Sequence, residues 1–135
     1  MNLSWQKNLL KNTVFFTVLA STSTVLAQTF DYSLLIGEWS QPGMCDTKRY
    51  VYTNEGKYIG LEKPGVNSLW QTWYEGFYVV KPESDLVVIA EGKQEGGFGF
   101  RTKELTQQSY VSQESIPGEN EPGGIFEYVK CPSRN

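Results

Sequence analysis

The sequence predicts an all-β fold: a single small antiparallel up-and-down barrel of eight to nine strands, closed by one disulfide. Three observations carry this. From Asp31 onward, short runs rich in Tyr, Val, Phe and Trp are broken by turn residues, the pattern of half-buried strands. No long stretch there has helical periodicity. Two Cys, Cys45 and Cys131, stand near opposite ends of the same region.

The runs span 34–40, 48–53, 57–63, 69–74, 77–81, 86–93, 98–105, 109–115 and 125–131. Between them lie Gln41-Pro-Gly43, Asn54-Glu-Gly56, Pro64-Gly65, Glu75-Gly76, Gln94-Glu-Gly-Gly97 and the stretch from Ile116 to Gly124. Gly and Pro supply the positive or fixed φ that a chain reversal needs. A short turn of helix is expected around 29–35.

Two hairpins can be read in register. With Glu55-Gly56 as a two-residue turn, Tyr52 pairs with Ile59, Tyr50 with Leu61 and Arg49 with Glu62. With Glu75-Gly76 as a second one, Tyr74 pairs with Phe77, Thr72 with Val79 and Trp70 with Lys81, while Trp73 meets Tyr78 on the opposite face. A set of eight or nine strands must bury one face, by closing into a barrel or by folding into a sandwich. Tight sequential turns favour the barrel. Its last strand then lies beside its first, which brings Cys131 towards Cys45.

Residues 1–27 read as a signal peptide. Lys7 and Lys11 are the only charges before Asp31, an apolar run follows from Thr13 to Ala20, and Val25-Leu-Ala27 offers small residues for cleavage. The apolar run is shorter than the roughly 20 residues that span a bilayer, so a cleaved leader is the expectation and a membrane anchor the alternative. Residues 28–135 form the expected barrel domain, about 108 residues long. Removal of two Lys takes the formal charge from −3 to −5. An acidic chain lacks the clustered cations that nucleic acid requires. The expected location is extracytoplasmic, either periplasmic or secreted, and there the two Cys are expected as a disulfide.

The segment Leu35-Ile-Gly37-Glu-Trp39 resembles the Gly-x-Trp signature that opens lipocalin-like (calycin) barrels. The resemblance covers strand count and meander order over 34–131. It implies that Gly37 permits close backbone approach and that Trp39 plugs the closed end. The Arg that covers this Trp in that family has Arg101 and Arg134 as candidates here. The chain also resembles the small bacterial inhibitor barrel that blocks secreted metalloproteases, sharing export, size, a disulfide and an early Trp.

The chain contains no His. That removes Ser-His-Asp and Cys-His catalysis and the commonest zinc ligand sets. Glu91, Glu95, Glu104 and Glu114 are the carboxylates available for acid–base work, but solvated strand faces explain them as well. Glu119-Asn-Glu121 is no calcium loop. Glu95-Gly-Gly-Phe-Gly-Phe100 lacks the ending of a phosphate cradle. No metal site and no cofactor is expected, and the chain reads as non-enzymatic.

Seven Phe, eight Tyr and four Trp remain as the informative feature. The hairpin registers place Tyr50, Tyr52, Trp70, Tyr74 and Phe77 on one face, as a filled core or as the lining of a ligand cavity. The first expectation is a binding barrel for a small apolar or amphipathic ligand held by these five residues. The second is a protein-binding module, such as an inhibitor of a secreted enzyme or an envelope assembly factor, using the 116–124 loop.

Overall fold

The computed structural model describes residues 29–91, 97–116 and 118–134. The expected signal peptide lies outside them. A 3-10 turn over Tyr32–Leu35 precedes eight strands among the described residues. These are β1 (Gly37–Ser40), β2 (Lys48–Tyr52), β3 (Lys57–Glu62), β4 (Gln71–Lys81), β5 (Leu86–Ala90), β6 (Phe98–Leu105), β7 (Ser109–Ser115) and β8 (Ile125–Lys130). Each pairs antiparallel with the next, and β1 pairs antiparallel with β8 through Trp39 opposite Lys130, so the barrel closes. The seam is short, because β1 meets β8 only at Lys130 and Val129.

Cys45 and Cys131 form the disulfide, with Cα atoms 5.6 Å apart. It joins the segment after β1 to the residue after β8, which is where closure places them. The Cys131 N–H also donates to the Glu38 carbonyl at 2.8 Å, extending the β1–β8 seam.

Two of the expected turns differ in the structure. Asn54-Glu55-Gly56 is a three-residue loop: the Thr53 N–H donates to the Lys57 carbonyl at 2.9 Å, and Gly56 takes φ +82°. Three-residue hairpin loops close on a left-handed residue, usually Gly. The extra residue moves the register by one. Tyr52 therefore faces Tyr58, Tyr50 faces Gly60, and Arg49 faces Leu61 instead of Glu62.

Glu75-Gly76 is not a turn. β4 runs through it without interruption, merging two expected runs into one strand of 11 residues. Gly76 is there for packing. A Cβ at that position would come within 2.6 Å of the Ala90 carbonyl oxygen and 2.9 Å of the Tyr74 ring. The merger matters for topology, because with an odd number of up-and-down strands the first and last would run parallel. Eight allow the antiparallel seam.

The 3-10 turn lies at the barrel end that also carries the β2–β3, β4–β5 and β6–β7 connections. It seals this end. Leu35 is fully buried, and the Tyr32 hydroxyl donates to Thr102 Oγ1 at 3.2 Å. Trp39 is also fully buried, and its indole N–H donates to the Leu35 carbonyl at 2.7 Å. Gly37 and Trp39 both lie at this end of the barrel. The residue covering Trp39 is Lys130, whose Nζ lies 4.4 Å from the ring centre. Neither Arg candidate has that position. Arg101 donates to the Ser84 carbonyl and Arg134 to Glu38.

Candidate functional site

Strand alternation decides which side chains enter the barrel. Opposed residues share a face, so Tyr52, Tyr58 and Gly76 point inward together. The same face continues through Tyr78, Ile89 and Phe98 on β4, β5 and β6. On the other side it takes in Tyr110, Ser112, Phe126 and Tyr128. Seven of the eight tyrosines line this interior, and Tyr32 sits in the turn that closes it.

Packing changes along the barrel axis. Near the sealed end Trp39, Tyr52, Tyr58, Val87 and Tyr110 are at most 9% exposed. They interlock edge to face, with Tyr52 against Tyr58 and Tyr78 at 5.0 Å and Trp39 against Tyr110 at 6.0 Å. Such geometry adds about 0.5–1.5 kcal/mol per pair beyond area burial. Towards the other end Tyr50, Tyr74, Phe100, Phe126 and Tyr128 are only half-buried. At its rim Trp73 is 44% exposed and Phe98 66%. The lower barrel is a filled core, and the upper barrel presents partly uncovered rings.

Trp73 reaches the rim through a bulge. Tyr74 pairs with Gly60 and Thr72 with Leu61, so Trp73 has no partner across the ladder. Its indole lies against Gly60, where a Cβ would come within 2.5 Å of the ring. The Tyr50 ring meets it edge-on at 6.2 Å, and Lys48 Nζ lies 4.7 Å from its centre. Lys48, Tyr50, Gly60, Trp73 and Tyr74 form one corner of the open end.

Of the five residues predicted to share a face, Tyr50, Tyr52 and Tyr74 do so. Trp70 and Phe77 do not. Phe77 opposes Lys57 and Ala90 on the outer surface and is 44% exposed. Trp70 precedes β4 and packs on the outer wall, with the Arg49 guanidinium 5.3 Å from its ring. Both displacements follow from the misplaced Glu75-Gly76 turn. Trp73 and Tyr78 do not pair either, since Tyr78 opposes Ile89 and packs on Tyr52. Tyr58, Tyr128, Trp73 and Lys48 are the residues sequence reasoning missed. A three-residue reading of Asn54-Glu55-Gly56 would have found Tyr58.

Burial drives the Tyr52, Tyr58 and Tyr128 phenols above their usual range, with neighbouring tyrosines adding to the effect. Burial pushes Tyr110 up to about 12, against a small opposing effect from the Thr102 and Ser112 hydroxyls. Yet the Tyr110 hydroxyl closes no hydrogen bond of its own. Neutral phenols can orient a ligand by donating or accepting hydrogen bonds.

The acidic candidates are dispersed. Glu91 and Glu104 are exposed, Glu114 is half-buried, and Glu95 lies outside the described residues. No group of three or more His, Cys, Asp or Glu among the described residues is placed to hold a metal ion. No helix among them is long and apolar enough to cross a membrane.

The fold and this site define a closed eight-stranded up-and-down antiparallel barrel with one disulfide, sealed at one end and lined with aromatic rings at the other. Comparison with protein-family models, with curated proteins and with solved structures gives no match for the chain.

Proposed function

We propose that this chain is an exported, non-enzymatic, lipocalin-like binding protein that takes a small apolar or amphipathic ligand at the open end of its barrel. The observation that carries this reading is the gradient of packing inside one continuous aromatic interior. Rings near Trp39 are buried, whereas Tyr50, Tyr74, Phe100 and Tyr128 remain half-open. Covering apolar surface of this kind contributes about 25 cal/mol per Å², and the phenol groups supply orientation. A disulfide that ties the two ends of the domain suits an oxidising compartment.

Native and denaturing mass spectra of the protein isolated from its own host test the reading. An added mass present only under native conditions supports it. Replacing Tyr74, half-buried at the open end, with Ala is expected to remove that mass while the barrel stays folded. Replacing Phe77, on the outer wall, leaves it in place. A bare native mass, together with failure to bind any amphiphile in vitro, sinks the proposal.

A further inference from the structure

Lys48 begins β2 at the open rim, and its cross-strand partner is Glu62. An antiparallel pair of opposite charges ordinarily closes an ion pair. This one does not. The ion pairs among the described residues are Arg49–Glu38, Lys57–Glu75 and Arg134–Glu38. The Lys48 ammonium instead lies 4.7 Å from the Trp73 ring centre and 5.9 Å from that of Tyr50. Two backbone features create this arrangement. The β4 bulge leaves Trp73 unpaired, and Gly60 gives its indole a surface to rest on.

A cation held on aromatic faces keeps unused donors, because a ring occupies none of the three ammonium hydrogens. Lys48 is half-buried and Trp73 is 44% exposed, so the charge stands at the boundary between the aromatic interior and water. Amphipathic molecules place their head groups at such a boundary. Two carboxylates share that rim: Glu62, exposed opposite Lys48, and Glu91, which is exposed and raises the Tyr74 phenol after the larger effect of burial.

We infer that the ligand is an anionic amphiphile, whose carboxylate or equivalent acidic head group is read by Lys48 on its Trp73–Tyr50 platform while the tail lies against the inner rings. This rests on the binding reading above and adds the head-group charge to it.

The test titrates the full chain with three probes of one chain length: laurate, lauryl alcohol and lauryltrimethylammonium, each below its micellar concentration. Intrinsic fluorescence or calorimetry follows binding. Laurate is expected to bind about tenfold more tightly than the alcohol, the scale of one charge-assisted hydrogen bond. Added salt should narrow that gap. Lys48→Met is expected to abolish it without changing affinity for the alcohol, and Lys48→Arg to keep it. Equal binding of the three probes overturns the head-group assignment and leaves the binding reading intact. Preference for the trimethylammonium probe overturns it too, assigning the aromatic corner and Glu91 to a cation. Binding of none of them removes the cavity reading and this inference together. The ranking of probes on the unaltered chain decides the matter even if a Lys48 variant fails to fold.

Discussion

Lys130 and Gly37 are built around each other. Lys130 Nζ donates to the carbonyls of Leu34 at 3.0 Å and Ile36 at 2.6 Å while covering Trp39. A Cβ on Gly37 would lie 2.7 Å from that nitrogen, and Gly37 also takes φ +133°, which side chains rarely adopt. One glycine thus admits both the backbone bend and the ammonium that caps the 3-10 turn. Gly37→Ala is expected to cost about 1–3 kcal/mol through strain and collision. Lys130→Met should cost about 1–2 kcal/mol by leaving two carbonyls without their donor. Urea titration of the double variant should show less than the sum, because the part of the collision made with Nζ disappears with Lys130, although the Met methyl still takes the Cε position. Strict additivity would mean that the two residues act independently.

The disulfide encloses a sequence separation of 86 residues. In the chain-entropy view a loop of that size stabilises the fold by about 4–5 kcal/mol. The Cys45→Ser, Cys131→Ser double variant is expected to lose that much in denaturant unfolding. A loss below about 1 kcal/mol would mean that the seam between β1 and β8 holds the ends together unaided.

Arg49 is 3% exposed on the outer side of β2. It donates to Glu38 at 2.7 Å, to the Cys45 carbonyl at 2.6 Å and to the Pro132 carbonyl at 2.6 Å. It therefore joins both disulfide segments to the barrel wall. Arg49→Ala should cost about 3–5 kcal/mol, as expected when one partner of a buried pair is removed. Arg134 also binds Glu38, but its side chain is 38% exposed. Arg134→Ala should cost less than about 1 kcal/mol. Comparable losses in thermal or urea unfolding would contradict this division.

Tyr110→Phe is expected to be neutral or to stabilise by up to about 1 kcal/mol. The hydroxyl is buried and closes no hydrogen bond of good geometry, although the Thr102 and Ser112 hydroxyls act on it, so its removal takes away chiefly a desolvation cost. A loss above about 1 kcal/mol would show that a partner, such as a buried water, satisfies it.

Stability should fall steeply above about pH 10. The Tyr52, Tyr58, Tyr110 and Tyr128 phenols ionise above 10.0 in the fold, because burial disfavours the phenolate. Unfolded tyrosines ionise near 10. Below that value both states hold their protons and the full stability is present; above it the unfolded chain loses protons first, and stability declines with rising pH. Lys130 works the other way, since burial lowers its pKa and stability would rise as it deprotonates. It is one half-buried group against four tyrosines, so the decline wins. Urea midpoints measured across alkaline pH should fall together with the appearance of tyrosinate absorbance. Constant midpoints would contradict the buried state of these phenols.

The candidate site was legible in part. Tyr50 and Tyr52 fall on the inner face because alternation from Trp39 and the β1–β2 pairing put them there. Tyr74 also turns inward, though not by the predicted turn. Trp70 and Phe77 were misassigned because Glu-Gly is a sound hairpin signal, and only the neighbouring Tyr74 and Ala90 show that Gly76 answers a packing need. Lys48 carried no signal, and Trp73 was expected on the opposite face beside Tyr78, since a bulge is a property of two paired strands and not of either alone.

The sequence by itself determined the class of fold, the strand positions of β2, β3 and β6 to β8 to within a residue, and the pairing of two lone Cys. Composition, alternation and turn residues are local, and these features follow from them. The tertiary structure decided which face each strand buries. A one-residue difference in the Asn54–Gly56 loop turns Tyr58 inward in place of Ile59, and a turn that is not made at Gly76 sends Phe77 to the outer face. It also decided that Lys130, 91 positions after Trp39 in sequence, covers it. Barrel closure alone brings those two residues into one seam.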